Sequence, residues 1–217
     1  MGLRIALIGP GDINFHFIEL LKLPQEELNK NIFEISEALK QNKAEIVIVP
    51  DKGICFEIAK KYREFGGKKV IGSVPVSDTY FGIKHLLPCM ETKIEGKKLI
   101  DEIIDTKTWY QQDATHCLYG DCVLLLGKSL GSIGELSLGF YISKILAKKE
   151  NLAKKIRAGR VIPFTAIIYN PFVKGQSSFE MEAYIKKSGG RCFYVNNAGE
   201  LKELLTKLTK EYNFKKR

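Results

Sequence analysis

The residues best suited to chemistry lie in one short run. Gly127-Lys128-Ser129-Leu130-Gly131-Ser132-Ile133-Gly134-Glu135 places small residues, a lysine and a carboxylate directly after Cys122, Val123, Leu124, Leu125 and Leu126. An apolar stretch of that kind reads as a strand buried on both faces. The residues after it read as a tight loop, and the spacing of Leu136, Leu138, Phe140, Ile142, Ile145 and Leu146 predicts a helix over 135–149. Strand, small-residue loop and helix together bring backbone N–H groups and a helix N-terminus against an anion, usually a phosphate. Glu135 reads either as a functional carboxylate or as a first-turn residue favoured by the helix dipole.

Two further loops carry similar residues. Gly9-Pro10-Gly11-Asp12 follows the apolar segment 3–9, and Pro50-Asp51-Lys52-Gly53 follows 45–49. The first lacks the third glycine of a dinucleotide loop, since Asn14 stands there, and Pro10 removes one N–H donor. Asp12 bonds a ribose or a ligand amine, or caps a turn. Lys52 reaches a phosphate, or is a solvated side chain beside an N-cap made by Asp51. Candidate ligand contacts are therefore Gly9, Gly11, Asp12, Lys52, Gly53, Lys128, Ser129, Gly131 and Ser132, with Glu135 as the candidate catalytic carboxylate.

These loops need a scaffold, and the rest of the chain supplies one. Strands are expected over 3–9, 45–49, 69–76, 102–106, 121–126, 161–169 and 191–195. Helices are expected over 26–41, 54–65, 108–119, 135–149, 178–187 and 198–212. The segment 77–98 breaks regular structure at Pro88 and turns at Glu95-Gly96-Lys97, which leaves two short helices or an irregular excursion. Alternating strands and helices imply an α/β fold: a Rossmann-like, doubly wound parallel sheet with helices on both faces. A single domain is expected to span 1–217, with ligand beyond the C-terminal ends of the strands.

Composition narrows the function classes. Hydrophobic residues are 45% and charged residues 27% of the 217, which is ordinary for a water-soluble domain. No apolar run approaches the ~20 residues of a membrane helix, and residues 1–9 enter a strand without a signal-peptide pattern. The net charge is +9, from 34 Lys and Arg against 25 Asp and Glu. Without an arginine-rich block it reads as a lysine-rich surface, which includes the tail at 215–217, or as complementarity to phosphorylated ligands rather than to nucleic acid. Five cysteines, Cys55, Cys89, Cys117, Cys122 and Cys192, include no C-x-x-C pair. They imply a reducing cytoplasm and no disulfides. His85 with Cys89, or His116 with Cys117 and Cys122, match no common zinc spacing, so no metal is expected. No nucleophile–histidine arrangement is recognisable either. Trp109 and Tyr110 either stack on a base or serve the core.

The stretch from Asp121 through Gly131-Ser132-Ile133-Gly134-Glu135-Leu136 resembles the P-G-G-x-G-T-x-x-E motif of the LOG-like, "lysine decarboxylase-like" Rossmann family within the SLOG superfamily. The order of elements and the closing segment around Asn196-Asn197 and Glu200 are similar as well. The resemblance implies nucleotide binding, and a homodimer, for which Phe140 and Tyr141 are candidate contacts. In the family's hydrolases, nucleoside 5′-monophosphates are cleaved to free base and ribose phosphate. Molybdenum-cofactor carriers are relatives that bind without catalysis. On this alignment Gly131 and Ser132 take the Gly-Thr positions and Glu135 the ribose-polarising glutamate. Gly127, Lys128 and Ser129 take Pro-Gly-Gly, so Lys128 and Ser129 stand where the motif has its two glycines. The hydrolases also carry an Arg-Lys pair shortly before the strand-opening aspartate. Gln112 and Asp113 occupy those positions here, which removes the cation that would stabilise developing charge. Three readings follow: nucleotide binding without catalysis, nucleoside monophosphate hydrolysis, and an interaction protein whose ancestral pocket is unused. No cofactor beyond the nucleotide-type ligand is expected.

Overall fold

The computed structural model describes residues 2–147 and 163–214. Seven parallel strands form one sheet in the order β6-β3-β2-β1-β7-β8-β9. They are β1 (Arg4–Ile8), β2 (Glu45–Ile48), β3 (Lys69–Val74), β6 (Glu102–Asp105), β7 (Cys122–Leu125), β8 (Thr165–Tyr169) and β9 (Arg191–Val195). From β1, the strands β2, β3 and β6 add outward in one direction, and β7 to β9 add on its other side. The strand order therefore reverses between β1 and β7, and the cleft of such a sheet opens there, at the C-terminal strand ends. The expected doubly wound α/β architecture is what the chain adopts.

Strand residues alternate between two layers. In β7, Cys122 and Leu124 join a core with Ile5, Leu7, Ile46 and Ile48. Against that face pack α1 (Gln25–Gln41), α2 (Ile54–Glu64) and α8 (Ala198–Phe214), through residues such as Ile35, Leu39, Ile58, Leu201 and Leu205. Val123 and Leu125 face the other layer with Ile8, Ala166 and Ile168. That face is covered by α5 (Leu130–Leu146) through Leu136 and by α7 (Phe179–Lys187) through Ile185. Complete burial of the central strands explains why they read as unbroken apolar runs.

Several elements differ from the sequence expectation. A seven-residue π-helix, Asn14–Leu20, follows the β1 loop. Its wider turn has no 3.6-residue pattern to announce it. The helix expected over 135–149 begins at Leu130, because Ser129 caps it by accepting from Ser132 N–H at 3.2 Å. The glycines of this first turn masked the start, since glycine is a poor helix former. Its expected last residues, 148 and 149, lie outside the described residues. So do 161 and 162 of the β8 segment and the basic tail 215–217.

The helix expected over 108–119 is α4 (Trp109–Thr115) followed by a 3-10 turn, His116–Leu118. The segment 77–98 holds a one-turn α3 (Leu87–Met90) and a small hairpin of β4 (Lys93–Ile94) and β5 (Lys97–Lys98). Glu95 and Gly96, both at positive φ, form its turn. A short α6 (Asn170–Val173) replaces the loop expected after β8. Among the described residues, no helix is long and apolar enough to cross a membrane.

Candidate functional site

At the C-terminal edge of the sheet, the loops after β1, β2 and β7 meet. Gly53 has φ +138°, and a Cβ there would lie 2.7 Å from both Gly11 Cα and Pro10 O. Gly127 has φ +143°, and a Cβ there would lie 2.7 Å from the Pro10 ring and 3.0 Å from His16 Nε2. No other residue tolerates both the left-handed backbone and that approach. Ile54 N–H donates to Pro10 O at 3.1 Å and ties the first two loops together.

The β1 and β2 loops, with Glu135 of α5, border a cleft of about 190 Å³. Gly9, Gly11, Lys52, Gly53 and Glu135 border it, so five of the expected site residues come together. The others stand outside its lining. Asp12 is exposed, and its carboxylate accepts from Phe15 N–H at 2.9 Å, which is the turn-capping role. Lys128 is exposed and donates to Gln176 O at 3.2 Å. Ser129 and Ser132 share a 2.5 Å hydroxyl contact, and Ser132 N–H is spent on the cap. Gly131 is exposed, and nothing lies within 4 Å of a Cβ placed at Gly134, so side chains do not fill the first turn of α5. Asp51 does not cap α2. It accepts from Lys52 N–H at 2.7 Å, and α2 begins at Ile54 after Gly53 in the N-cap position, with no side-chain cap. The positive end of that eleven-residue helix opens on the cleft beside Lys52.

The opposite wall comes from α4. Trp109, Gln112 and Asp113, spaced i, i+3 and i+4, share one helix face and border the cleft. Gln112 is 0% exposed, and neither its amide nitrogen nor its amide oxygen has a hydrogen-bond partner. Desolvation, then the charge of Asp113, pushes the half-buried Glu135 carboxyl up to about 8. Asp113 is itself raised by desolvation. A shift of that direction favours the protonated, donor form of Glu135. The Cys55 thiol, also at the cleft, is raised by desolvation and then by Glu135, so it is no thiolate nucleophile.

Sequence reasoning noted Gln112 and Asp113 only as departures from a motif, and Trp109 only as an ambiguous aromatic. Their common helix face was the available signal. His16 was also missed. It sits buried in the π-helix against Gly127 with Nε2 unpartnered, and its pKa is lowered by burial and then by Lys128.

The remaining histidines serve structure. His116 Nε2–H donates to Leu7 O at 3.0 Å, and Ser73 Oγ–H donates to Nδ1 at 2.7 Å. His85 stacks on Trp109, with ring centroids 5.3 Å apart, while Cys89 is buried in the core. Among the described residues, no group of three His, Cys, Asp or Glu side chains is placed to hold a metal. All five cysteines are free.

Solved structures with the same fold include two that handle molybdenum cofactor. The molybdenum cofactor carrier protein of Chlamydomonas reinhardtii has a TM-score of 0.56 at 16% identity, over 97% of this chain and 99% of that one. The molybdenum cofactor binding protein of Rippkaea orientalis has a TM-score of 0.54 at 14% identity, over 96% and 98%. DNA processing protein A of Helicobacter pylori, described as binding single-stranded DNA, has a TM-score of 0.50 at 17% identity, over 97% and 82%. At these identities the likeness is one of fold, a Rossmann-like α/β arrangement. No protein-family model matches the chain, and no curated protein sequence matches it.

Proposed function

We propose that the cleft binds a nucleotide or another phosphorylated nucleoside-like molecule. The observation that carries this reading is Gln112, fully buried at the cleft wall with both amide atoms unpaired. A buried amide without partners costs about 1–3 kcal/mol per group, and a ligand offering both a donor and an acceptor relieves that cost. Lys52 and the uncapped start of α2 supply the positive end for a phosphate. Glu135, protonated, donates to a ribose hydroxyl. The first turn of α5, with Gly131 and Ser132, is a second candidate phosphate contact. It is the weaker one because Ser129 already takes Ser132 N–H and Lys128 is engaged at Gln176 O.

The fold likeness to molybdenum-cofactor carriers supports a binding role and places that cofactor in the ligand panel. The family resemblance of the Gly131–Glu135 stretch points the same way. Thermal shift across nucleoside mono-, di- and triphosphates, cyclic dinucleotides and molybdopterin-type ligands tests it. A ligand at 100 times its Kd stabilises by about 2.7 kcal/mol. Lys52→Ala is expected to weaken the hit about tenfold, and Lys128→Ala much less. No shift with any ligand would remove the nucleotide reading.

A second reading, hydrolysis of nucleoside 5′-monophosphates, is favoured by the Glu135–Asp113 carboxyl pair. Protonated Glu135 would deliver its proton to the departing base nitrogen while water attacks the anomeric carbon and gives up its own proton to the Asp113 carboxylate. Base release by the wild type and none by Glu135→Gln would establish it. The outer face of α5, where Leu138, Tyr141 and Ile145 are exposed, supports a homodimer. Phe140, by contrast, packs inward on Phe164. Sedimentation of Tyr141→Glu against wild type tests that surface.

A further inference from the structure

Beyond the cleft, three large aromatic side chains stand in solvent and touch one another. Tyr80 is 86%, Phe81 56% and Tyr110 73% exposed. The Tyr80 and Phe81 rings meet edge to face at 4.7 Å, and Phe81 and Tyr110 at 6.0 Å. Single exposed aromatics are ordinary on a protein surface, but a contiguous group marks a site of interaction.

The group is held in place rather than left to wave. The buried Asp78 carboxylate accepts from Tyr80 N–H and Phe81 N–H, both at 2.8 Å, and from Trp109 N–H at 3.0 Å. Trp109 Nε1–H donates to Gly82 O at 2.9 Å. One carboxylate thus fixes the loop after β3 to the start of α4. Trp109 borders the cleft, and Tyr110 is its neighbour on the same helix, about 100° round the axis. Trp109 therefore lies between the cleft and the loop that carries Tyr80 and Phe81.

The size of the cleft says what part of a ligand it takes. Sites that enclose a whole drug-sized ligand run to about 300–1,000 Å³, and this cleft is about 190 Å³. A cleft of that size suits a phosphoribosyl-sized end and leaves a planar ring outside, beyond Trp109. Aromatic faces accept any heterocycle by stacking.

We propose that Tyr80, Phe81 and Tyr110 form a stacking wall for the heterocyclic base of a ligand whose phosphorylated end lies in the cleft. This rests on the binding reading above. Calorimetric titration of wild type, Phe81→Ala, Tyr110→Ala and Tyr110→Phe with nucleoside 5′-monophosphates and with ribose 5-phosphate tests it. Because these side chains are exposed, the variants are expected to keep the wild-type melting temperature.

Wild type should bind a nucleoside monophosphate more tightly than ribose 5-phosphate. Each alanine variant should lose about five- to 150-fold for the nucleotide, the range of one stacked base. Affinity for ribose 5-phosphate should not change, and Tyr110→Phe should bind as wild type does. Unchanged nucleotide affinity in both alanine variants would overturn the wall and leave the cleft reading standing. Failure of both ligands to bind wild type would overturn both. A fall in sedimentation mass on alanine substitution, with nucleotide affinity intact, would reassign the wall to contact between copies of the chain.

Discussion

Glu135 gives the sharpest quantitative expectation. Its carboxyl moves from the ordinary 4.5 to about 8 on folding, through desolvation first and the Asp113 charge second. The folded protein therefore holds this proton more tightly than the unfolded chain does. The resulting stability is complete below about pH 4.5, declines as pH rises, and is lost above about pH 8. At about 1.4 kcal/mol per pH unit the ceiling is ~5 kcal/mol. Because half-buried Glu135 faces the water of the cleft, screening reduces this to roughly 2–3 kcal/mol. Glutamine has nearly the same shape as the protonated acid and cannot ionise. Glu135→Gln and wild type should therefore melt together at pH 5. At pH 9 the variant should melt higher by about 5–10 °C, given about 2–4 °C per kcal/mol for a chain of this size. Circular dichroism melts of both proteins from pH 5 to 9 measure the difference, and contributions from other titrating groups cancel in it. An equal gap at both ends of the range, or a less stable variant at pH 9, would refute the placement of Glu135 in a desolvated wall.

Other expectations follow from the same geometry. Gly53→Ala places a Cβ 2.7 Å from Gly11 and Pro10 at a φ of +138°; a loss of about 2–4 kcal/mol in urea unfolding is expected. Burial, partly offset by the Leu7 carbonyl, lowers His116 to about 4. The unfolded chain binds that proton more readily, so stability is lost as pH falls from about 6.5 to 4. An NMR titration should find this ring still neutral at pH 5. Tyr169→Phe removes the 2.5 Å bond from Tyr169 Oη–H to Asn31 Oδ1 and is expected to cost about 1–3 kcal/mol in the same urea assay.

The central strands were legible because burial on both faces leaves them as apolar runs, and α1 because Leu28, Ile35 and Leu39 line one face. The meeting of the β1 and β2 loops followed from the alternation of elements, since a parallel sheet gathers those loops on one edge. What escaped depends on tertiary detail. The π-helix has no familiar period. The start of α5 is set by the Ser129 cap inside a glycine-rich run that reads as loop. The importance of Gln112 lies in what it fails to bond, which only packing reveals. The aromatic wall joins residues from the loop after β3 and from α4, about thirty positions apart.

The chain has one tryptophan, Trp109, and it borders the cleft. Fluorescence excited selectively at the indole therefore reports on this site, and its titration with nucleoside 5′-monophosphates tests nucleotide binding in the cleft most directly. The account predicts a saturable change with one ligand per chain, shifted to higher concentration by Lys52→Glu. A flat or merely linear response to every phosphorylated nucleoside, from protein that melts cooperatively, would contradict it.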